Sequence, residues 1–344
     1  MGTSLSAAVA EHGAAAGPAC RICGGGDLTA FDAREMMFGL RDRFRYLECR
    51  SCGCVQIARY PDTLSAYYPS GYCAFQAEPA RPEEAPPTLA QTLLSSAKAA
   101  LMAASATDRR RYWEAASTRA WLATRRTPAA SLYPKHVPNP RSRILDVGCG
   151  TGALLHDLYY LYYRNIHGID PFIDADIHFH GRLLVRKSTL FGVQPAYDCI
   201  SFHHVLEHMP DQLAVLRQAH RLLAPGGIVM VRIPVAGGFA WRNYRENWVQ
   251  LDPPRHLYVH SERSFTLLAQ RAGFDVAIEY DSTGVQFWGS ELYLRDIPLT
   301  GAGSPWGSGP SIFSADQRAD YERRAEALNA ARDGDQIVAI LRKR

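Results

Sequence analysis

The chain is poor in cysteine, with eight in 344 residues, far below the density of a disulfide-stapled secreted scaffold. No window approaches the roughly 18 uninterrupted apolar residues that a membrane-spanning helix needs, so no span is expected. Neither charge sign dominates: 38 Lys and Arg against 34 Asp and Glu leave a formal +4, too little by itself to announce a nucleic-acid partner. Internal repeats are absent, and the composition excludes collagen and long disorder. The N-terminal stretch lacks a basic segment, and Glu11, His12 and Gly13 break its apolar run. Residues 1–17 are therefore expected to form a disordered tail rather than a signal peptide. A cytoplasmic, reducing location follows, with thiols free or metal-bound. What is present is an ordinary globular mix, 47% hydrophobic and 10% aromatic, long enough for two domains.

Three regions separate by composition. Residues 18–78 hold six of the eight cysteines among short aromatic and β-branched runs. Residues 79–142 open with the proline-rich EPARPEEAPP, and two helical patterns follow near 88–105 and 107–125. From Arg143 to Arg344 strands and helices alternate. ILDVG, NIHGID, YDCISFHHV, IVMVRIPV, FDVAIEYDST and DQIVAILRKR read as strands. ALLHDLYYLYY, DQLAVLRQAHRLLA and SERSFTLLAQRAG read as helices. This alternation predicts an α/β fold with a doubly wound, mostly parallel sheet covered on both faces.

Asp146-Val-Gly148-Cys-Gly150-Thr-Gly152 falls between a strand and a helix. In such sheets ligands bind at the carboxyl ends of the strands, where glycines admit close backbone approach and a helix N-terminus favours an anionic group. Read loosely, GCGTGA also satisfies the dinucleotide fingerprint. Asp146 separates the two readings: a strand-end acid there repels a pyrophosphate but suits an ammonium or sulfonium centre. The loop resembles the first motif of class I S-adenosylmethionine-dependent methyltransferases. GIDP, YDCISFHHVLEHMPD and LLAPGGIVMVRIP then follow in that family's order. The resemblance implies a seven-stranded Rossmann-like sheet with Asp146, Gly148 and Gly150 lining the methionine end of the cofactor. It further implies that Asp170 binds the ribose, Phe172 flanks the adenine and His203 lies close by. One departure is the stretch Lys187 to Leu190, where the family's adenine-side acid is replaced by Ser188 and Thr189.

Cys20-x2-Cys23 and Cys49-x2-Cys52 form two glycine-flanked knuckles 25 residues apart, a spacing that suits structural Zn2+ held by four thiolates. Cys54, Cys73, Cys149 and Cys199 read as bystanders. A zinc ribbon at 18–78 ahead of a cofactor domain at 143–344 resembles a bacterial methyltransferase group that works mainly on sugars, in glycan and natural-product pathways. LECRSCGCVQIARYPDTLSAYYPSGY and NWVQLDPPRHLYVHSERSFTLLAQRAGF carry that resemblance. A sugar or other polyhydroxy acceptor, methylated on oxygen or carbon, is the expected substrate. The rival reading is a zinc-ribbon RNA base methyltransferase, against which the small net charge weighs.

Methyl transfer needs an aligned nucleophile and a base. The candidates are His204, Glu207 and His208 just past a strand end, and His256 in the loop after two prolines. His204-x-x-Glu207-His208 also matches an inverted zinc-protease pattern, which the surrounding motifs override. Related quinone-type O-methyltransferases hold a metal at similar positions, so Mg2+ is a further expectation. Trp248 and Tyr258 are candidates for stacking on a sugar face. The arginine runs at 108–113 and 123–127 suit a solvated helix face or a grip on a diphosphate-linked acceptor.

Overall fold

The computed structural model describes residues 19–69, 128–161 and 163–344. The linker helices expected near 88–105 and 107–125, both arginine runs and Cys73 lie outside them. The described elements begin with β1 (Leu28–Arg34), β2 (Arg43–Cys49), β3 (Val55–Ile57), α1 (Leu132–His136), β4 (Ile144–Val147) and α2 (Ala153–Tyr160). Next come β5 (Ile166–Ile169), β6 (Ile177–Phe179), β7 (Arg182–Arg186), β8 (Tyr197–His203), α3 (Gln212–Leu222) and β9 (Leu223–Pro234). The remainder are α4 (Phe239–Tyr244), β10 (Tyr258–Val259), α5 (Glu262–Arg271), β11 (Phe274–Tyr280), α6 (Val285–Leu294), α7 (Ala315–Ala330) and β12 (Gln336–Lys343).

The main sheet runs β11-β12-β9-β8-β4-β5-β7-β6. Its centre is parallel, with α2 crossing between β4 and β5 and α3 between β8 and β9, and near-continuous apolar strands suit a sheet buried on both faces. Strand order reverses between β4 and β8, so a crevice opens at the carboxyl ends of those two strands. The sheet has eight strands, not the seven expected. The addition is β6, which pairs antiparallel with β7 at one edge. The two are joined through His180 and Gly181, both at positive φ, the backbone of a tight hairpin. His-Gly is a weak turn signal, and β7 itself escapes the apolar pattern.

Helix α3 forms where Asp211 caps its first turn and Val215, Leu216, Ala219 and Leu222 fall on one buried face. Helix α5 starts from a reciprocal cap between Ser261 and Ser264. The helix expected over 153–163 stops at Tyr160. Tyr163 instead turns into the core, where its hydroxyl donates to the Val137 carbonyl at 2.7 Å.

The smaller sheet is an antiparallel meander, β1-β2-β3, whose fourth strand is β10 from far along the chain. One apolar core therefore runs from Cys20, Tyr46 and Ile57 to Val147, Phe202 and Phe265 on one face of the large sheet. A second core on the other face gathers Tyr133, Ile144, Leu155, Tyr163 and Met230. Residues 129–137, which composition groups with the linker, are packed into this second core. Polar welds join the small sheet to the large. Arg255, fully buried, bridges Glu35 at 2.8 Å and Asp252, and Leu299 and Thr300 donate backbone N–H groups to Met36 and Met37.

Candidate active site

The loop after β4 bends at Gly148 and Gly152, with φ of +68° and +87°. A side chain at Gly148 meets the Val205 methyls at 2.6 Å, so glycine is required there on two counts. Asp170 ties this loop to the end of β5. Its carboxylate accepts the Gly150 N–H at 2.9 Å and the Phe172 N–H at 2.8 Å. Phe172 itself is 69% exposed, an apolar ring left uncovered beside a polar loop.

Asp146, at the end of β4, is 3% exposed. It lies level with Ser201 of neighbouring β8, whose hydroxyl donates to Asp146 Oδ1 at 2.8 Å. Burial raises the Asp146 carboxyl to about 7, against the Ser201 hydrogen bond, and the like charge of Asp170 adds to the rise. Two residues along β8, His203 is held neutral, because burial and the nearby Arg232 push it down to about 3. Its Nε2 meets the Tyr133 hydroxyl at 3.1 Å, while its buried Nδ1 has no partner. The expected cofactor residues Asp146, Gly148, Gly150, Asp170, Phe172 and His203 thus gather at the point where strand order reverses.

The chain then passes through His204, a non-glycine residue at φ +55°, a strained conformation of the kind that collects at functional sites. Arg232 donates to His204 Nε2 at 2.9 Å and is itself paired with Asp281. The proton of His204 is therefore on Nδ1, which faces Glu207 Oε1 at 3.4 Å. Glu207 is 1% exposed, and neither of its oxygens has a hydrogen-bond partner. Burial alone raises its carboxyl, but the imidazoles of His204, His208 and His256 outweigh that and hold it down at about 2.

His208 Nδ1 sits 2.8 Å from the Arg255 carbonyl and 3.0 Å from the Tyr68 hydroxyl. His256 Nδ1 is 2.8 Å from the Gln250 carbonyl, an acceptor, so both rings carry their neutral-state proton on Nδ1 and leave Nε2 as a base. His256 Nε2 lies 4.0 Å from Glu207 Oε1 and 3.9 Å from Asp252 Oδ2. The four residues expected to act on the acceptor are thus brought together. Trp248 is not available for stacking: it is fully buried, with its indole N–H on Asp335 at 3.0 Å. Tyr258 is buried too, and its hydroxyl meets that of Tyr60 at 2.8 Å. Sequence pattern gave no sign of Tyr133, Tyr68 or Arg232, whose partners are distant in the chain.

Cys20, Cys23, Cys49 and Cys52 converge, with Sγ atoms 3.6 Å apart for Cys20 and Cys52 and 3.5 Å apart for Cys23 and Cys49. Four thiolates around Zn2+ at about 2.3 Å stand about 3.8 Å from one another, so this spacing fits such an ion. Gly24 and Gly53, at φ +78° and +74°, let each knuckle curl, and the Gly25 N–H points at Cys23 Sγ. The neighbouring Cys54 thiol, by hydrogen bonding, holds Cys20 down at about 4, which favours the thiolate.

A family described as a methyltransferase domain matches residues 106–278, half of the chain. The ubiquinone biosynthesis O-methyltransferase of Xylella fastidiosa is 31% identical over 112 residues, 28% of this chain and 44% of that protein. The one of Xanthomonas campestris pv. campestris (strain B100) is 26% identical over 149 residues, 38% of this chain and 60% of that protein. The chain thus spans about half the length of the curated relatives it matches. Among solved structures, a SAM-dependent methyltransferase from Archaeoglobus fulgidus aligns with a TM-score of 0.40 at 20% identity, over 63% of this chain and 93% of that one. A SAM-dependent methyltransferase of Thermotoga maritima, titled a possible histamine N-methyltransferase, aligns at 0.39 and 19%, over 69% and 98%. With the family match covering half of its length, the chain belongs to this methyltransferase-domain family.

Proposed function

We propose that the enzyme methylates a hydroxyl, or an acidified carbon, of a sugar or related polyhydroxy small molecule. One observation carries the reading: a buried carboxylate without a hydrogen-bond partner, ringed by three imidazoles, directly follows the strand that bears the cofactor residues. S-adenosylmethionine, when bound, supplies an electrophilic methyl group on sulfonium. In this reading Asp146 receives the cofactor's ammonium, and Gly148 and Gly150 let the backbone approach. Asp170 holds the ribose, Phe172 covers the adenine, and His203 stands beside them. His256 Nε2 takes the acceptor's proton, and the resulting imidazolium is stabilised by Glu207 and Asp252. His204 and His208 face Glu207 and favour its ionised form. In this reading the zinc module is built within residues 19–69, with Cys20, Cys23, Cys49 and Cys52 as a closed structural site.

The Mg2+ expectation does not fit these side chains. Glu207, His208 and His256 offer one carboxylate and two imidazoles, whereas Mg2+ prefers oxygen ligands. No step is routed through it. Among the described residues no helix is long and apolar enough to cross a membrane. A phenol of quinone biosynthesis is the second reading, suggested by the similarity to ubiquinone biosynthesis O-methyltransferases. The test offers methyl-labelled cofactor with separate pools of nucleotide sugars, glycans, phenolic quinone precursors and total RNA. Label in the sugar or glycan pools supports the proposal; label confined to the phenols selects the second reading. Label confined to RNA overturns both.

A further inference from the structure

Tyr133 comes from α1, ahead of the sheet, yet its hydroxyl reaches the crevice between β4 and β8. It donates to Ser201 Oγ at 2.7 Å and lies 3.1 Å from His203 Nε2. Ser201 in turn lies 2.8 Å from Asp146 Oδ1. Each hydroxyl has one proton to give. When Asp146 is ionised, Ser201 must donate to it, Ser201 must then accept from Tyr133, and Tyr133 must accept from His203 Nε2–H. The four groups therefore form a chain of hydrogen bonds with one polarity, running from a neutral imidazole to a buried carboxylate. Bonds aligned in this way polarise one another. With the proton on His203 Nε2, the buried and unpartnered Nδ1 is left as a bare acceptor.

We propose that Tyr133 is a positioning residue for the cofactor: through Ser201 it supports the ionised form of Asp146 and so strengthens the seat of the cofactor's cationic amino group. This rests on Asp146 holding that group. The other titratable groups around the chain are few. Asp170 faces Asp146 as a like charge, and the Cys149 and Cys199 thiols beside it are kept neutral by burial. Arg232 and His204 face His203, and Tyr163 packs on the Tyr133 ring.

The experiment compares Tyr133→Phe with the parent enzyme for two ligands, S-adenosylhomocysteine and methylthioadenosine, which lacks the amino-acid end. Calorimetry is run from pH 5.5 to 8. Phe keeps the ring and removes one charge-assisting donor, so S-adenosylhomocysteine binding weakens by about threefold at pH 7 and about fivefold at pH 5.5. Its pH midpoint rises by about 0.7 unit, while methylthioadenosine binding stays within about twofold of the parent. Equal losses for both ligands, or none for either, overturn the inference. Asp146→Asn serves as the control on the underlying reading: if it too leaves S-adenosylhomocysteine binding unchanged, that reading fails along with the inference. If Tyr133→Phe does not fold, nitrogen-15 histidine spectra of the parent complex decide the matter. The wire requires His203 as the Nε2–H tautomer, and a proton on Nδ1 refutes it.

Discussion

Asp146 offers the sharpest test of the site, because its burial has opposite effects on the empty and the loaded enzyme. In the folded chain its carboxyl titrates at about 7, against 3.8 in an unstructured one. The folded-state value is the raised one, so as pH rises the unfolded chain ionises first. Stability is therefore lost progressively between about pH 4 and 7 and is level above that. A separation of about three units corresponds to about 4 kcal/mol, an upper figure for the cost of carrying this carboxylate in the fold. Asp146→Asn removes that cost while leaving an oxygen for Ser201. Its melting temperature should exceed the parent's at pH 8 and match it near pH 4.

Cofactor affinity should move the other way. Between pH 7 and 5.5 protonation of Asp146 removes the partner of the ligand's ammonium, so each unit costs up to a factor of ten. S-adenosylhomocysteine should bind about 30-fold more weakly at pH 5.5 than on the plateau. Asp146→Asn should bind weakly at every pH, with a flat profile. Calorimetric titrations at half-unit steps give the answer. A parent profile that is already flat from pH 5.5 to 8, with affinity equal to the variant's, would falsify the assignment of Asp146 to the ammonium.

Three further outcomes follow from the geometry. His256→Ala and Glu207→Gln should each lower turnover by about a hundredfold, the usual worth of a general base, while S-adenosylhomocysteine affinity stays near the parent's; unchanged turnover in His256→Ala removes it from the role of base. Arg255→Met should destabilise the fold by about 3–5 kcal/mol, since it leaves Glu35 and Asp252 buried without their shared cation; denaturant titration with a shift under about 1 kcal/mol contradicts the pairing. Purified protein should carry about one Zn2+ per chain by elemental analysis, and Cys49→Ser should lose it; full occupancy in that variant disproves the four-thiolate site.

What could be read from the chain alone was local. The glycine loop at 148–152, the acid ending β5 and the two cysteine knuckles are each defined within a few residues, since the backbone turn and the ligand-bearing atoms belong to one short segment. The four residues proposed for acceptor chemistry could be picked out for the same reason, three of them lying within five positions after β8. The relations among these parts were not. Tyr133 meets Ser201 across 68 positions, Tyr68 meets His208 across 140, and Glu35 meets Arg255 across 220. Such contacts leave no periodicity, because each side chain needs only to end its own segment at the right place.

Those long-range contacts decide how the cysteine-bearing sheet relates to the chemistry. β10 begins two residues after His256 and pairs with β3, which begins three residues after Cys52. Tyr46 of β2 donates to the His256 carbonyl at 2.8 Å, and Ser261 donates to the Cys52 carbonyl. Arg255, next to His256, is clamped by Glu35 from the end of β1. The loop that carries His256 is therefore fixed from both sides by the small sheet beside the four cysteines, while Asp146 and Asp170 are fixed by the parallel sheet. Removal of the proposed Zn2+ should then loosen the His256 loop and slow methyl transfer before it weakens cofactor binding. That order distinguishes a module that shapes the acceptor side from one that only adds stability.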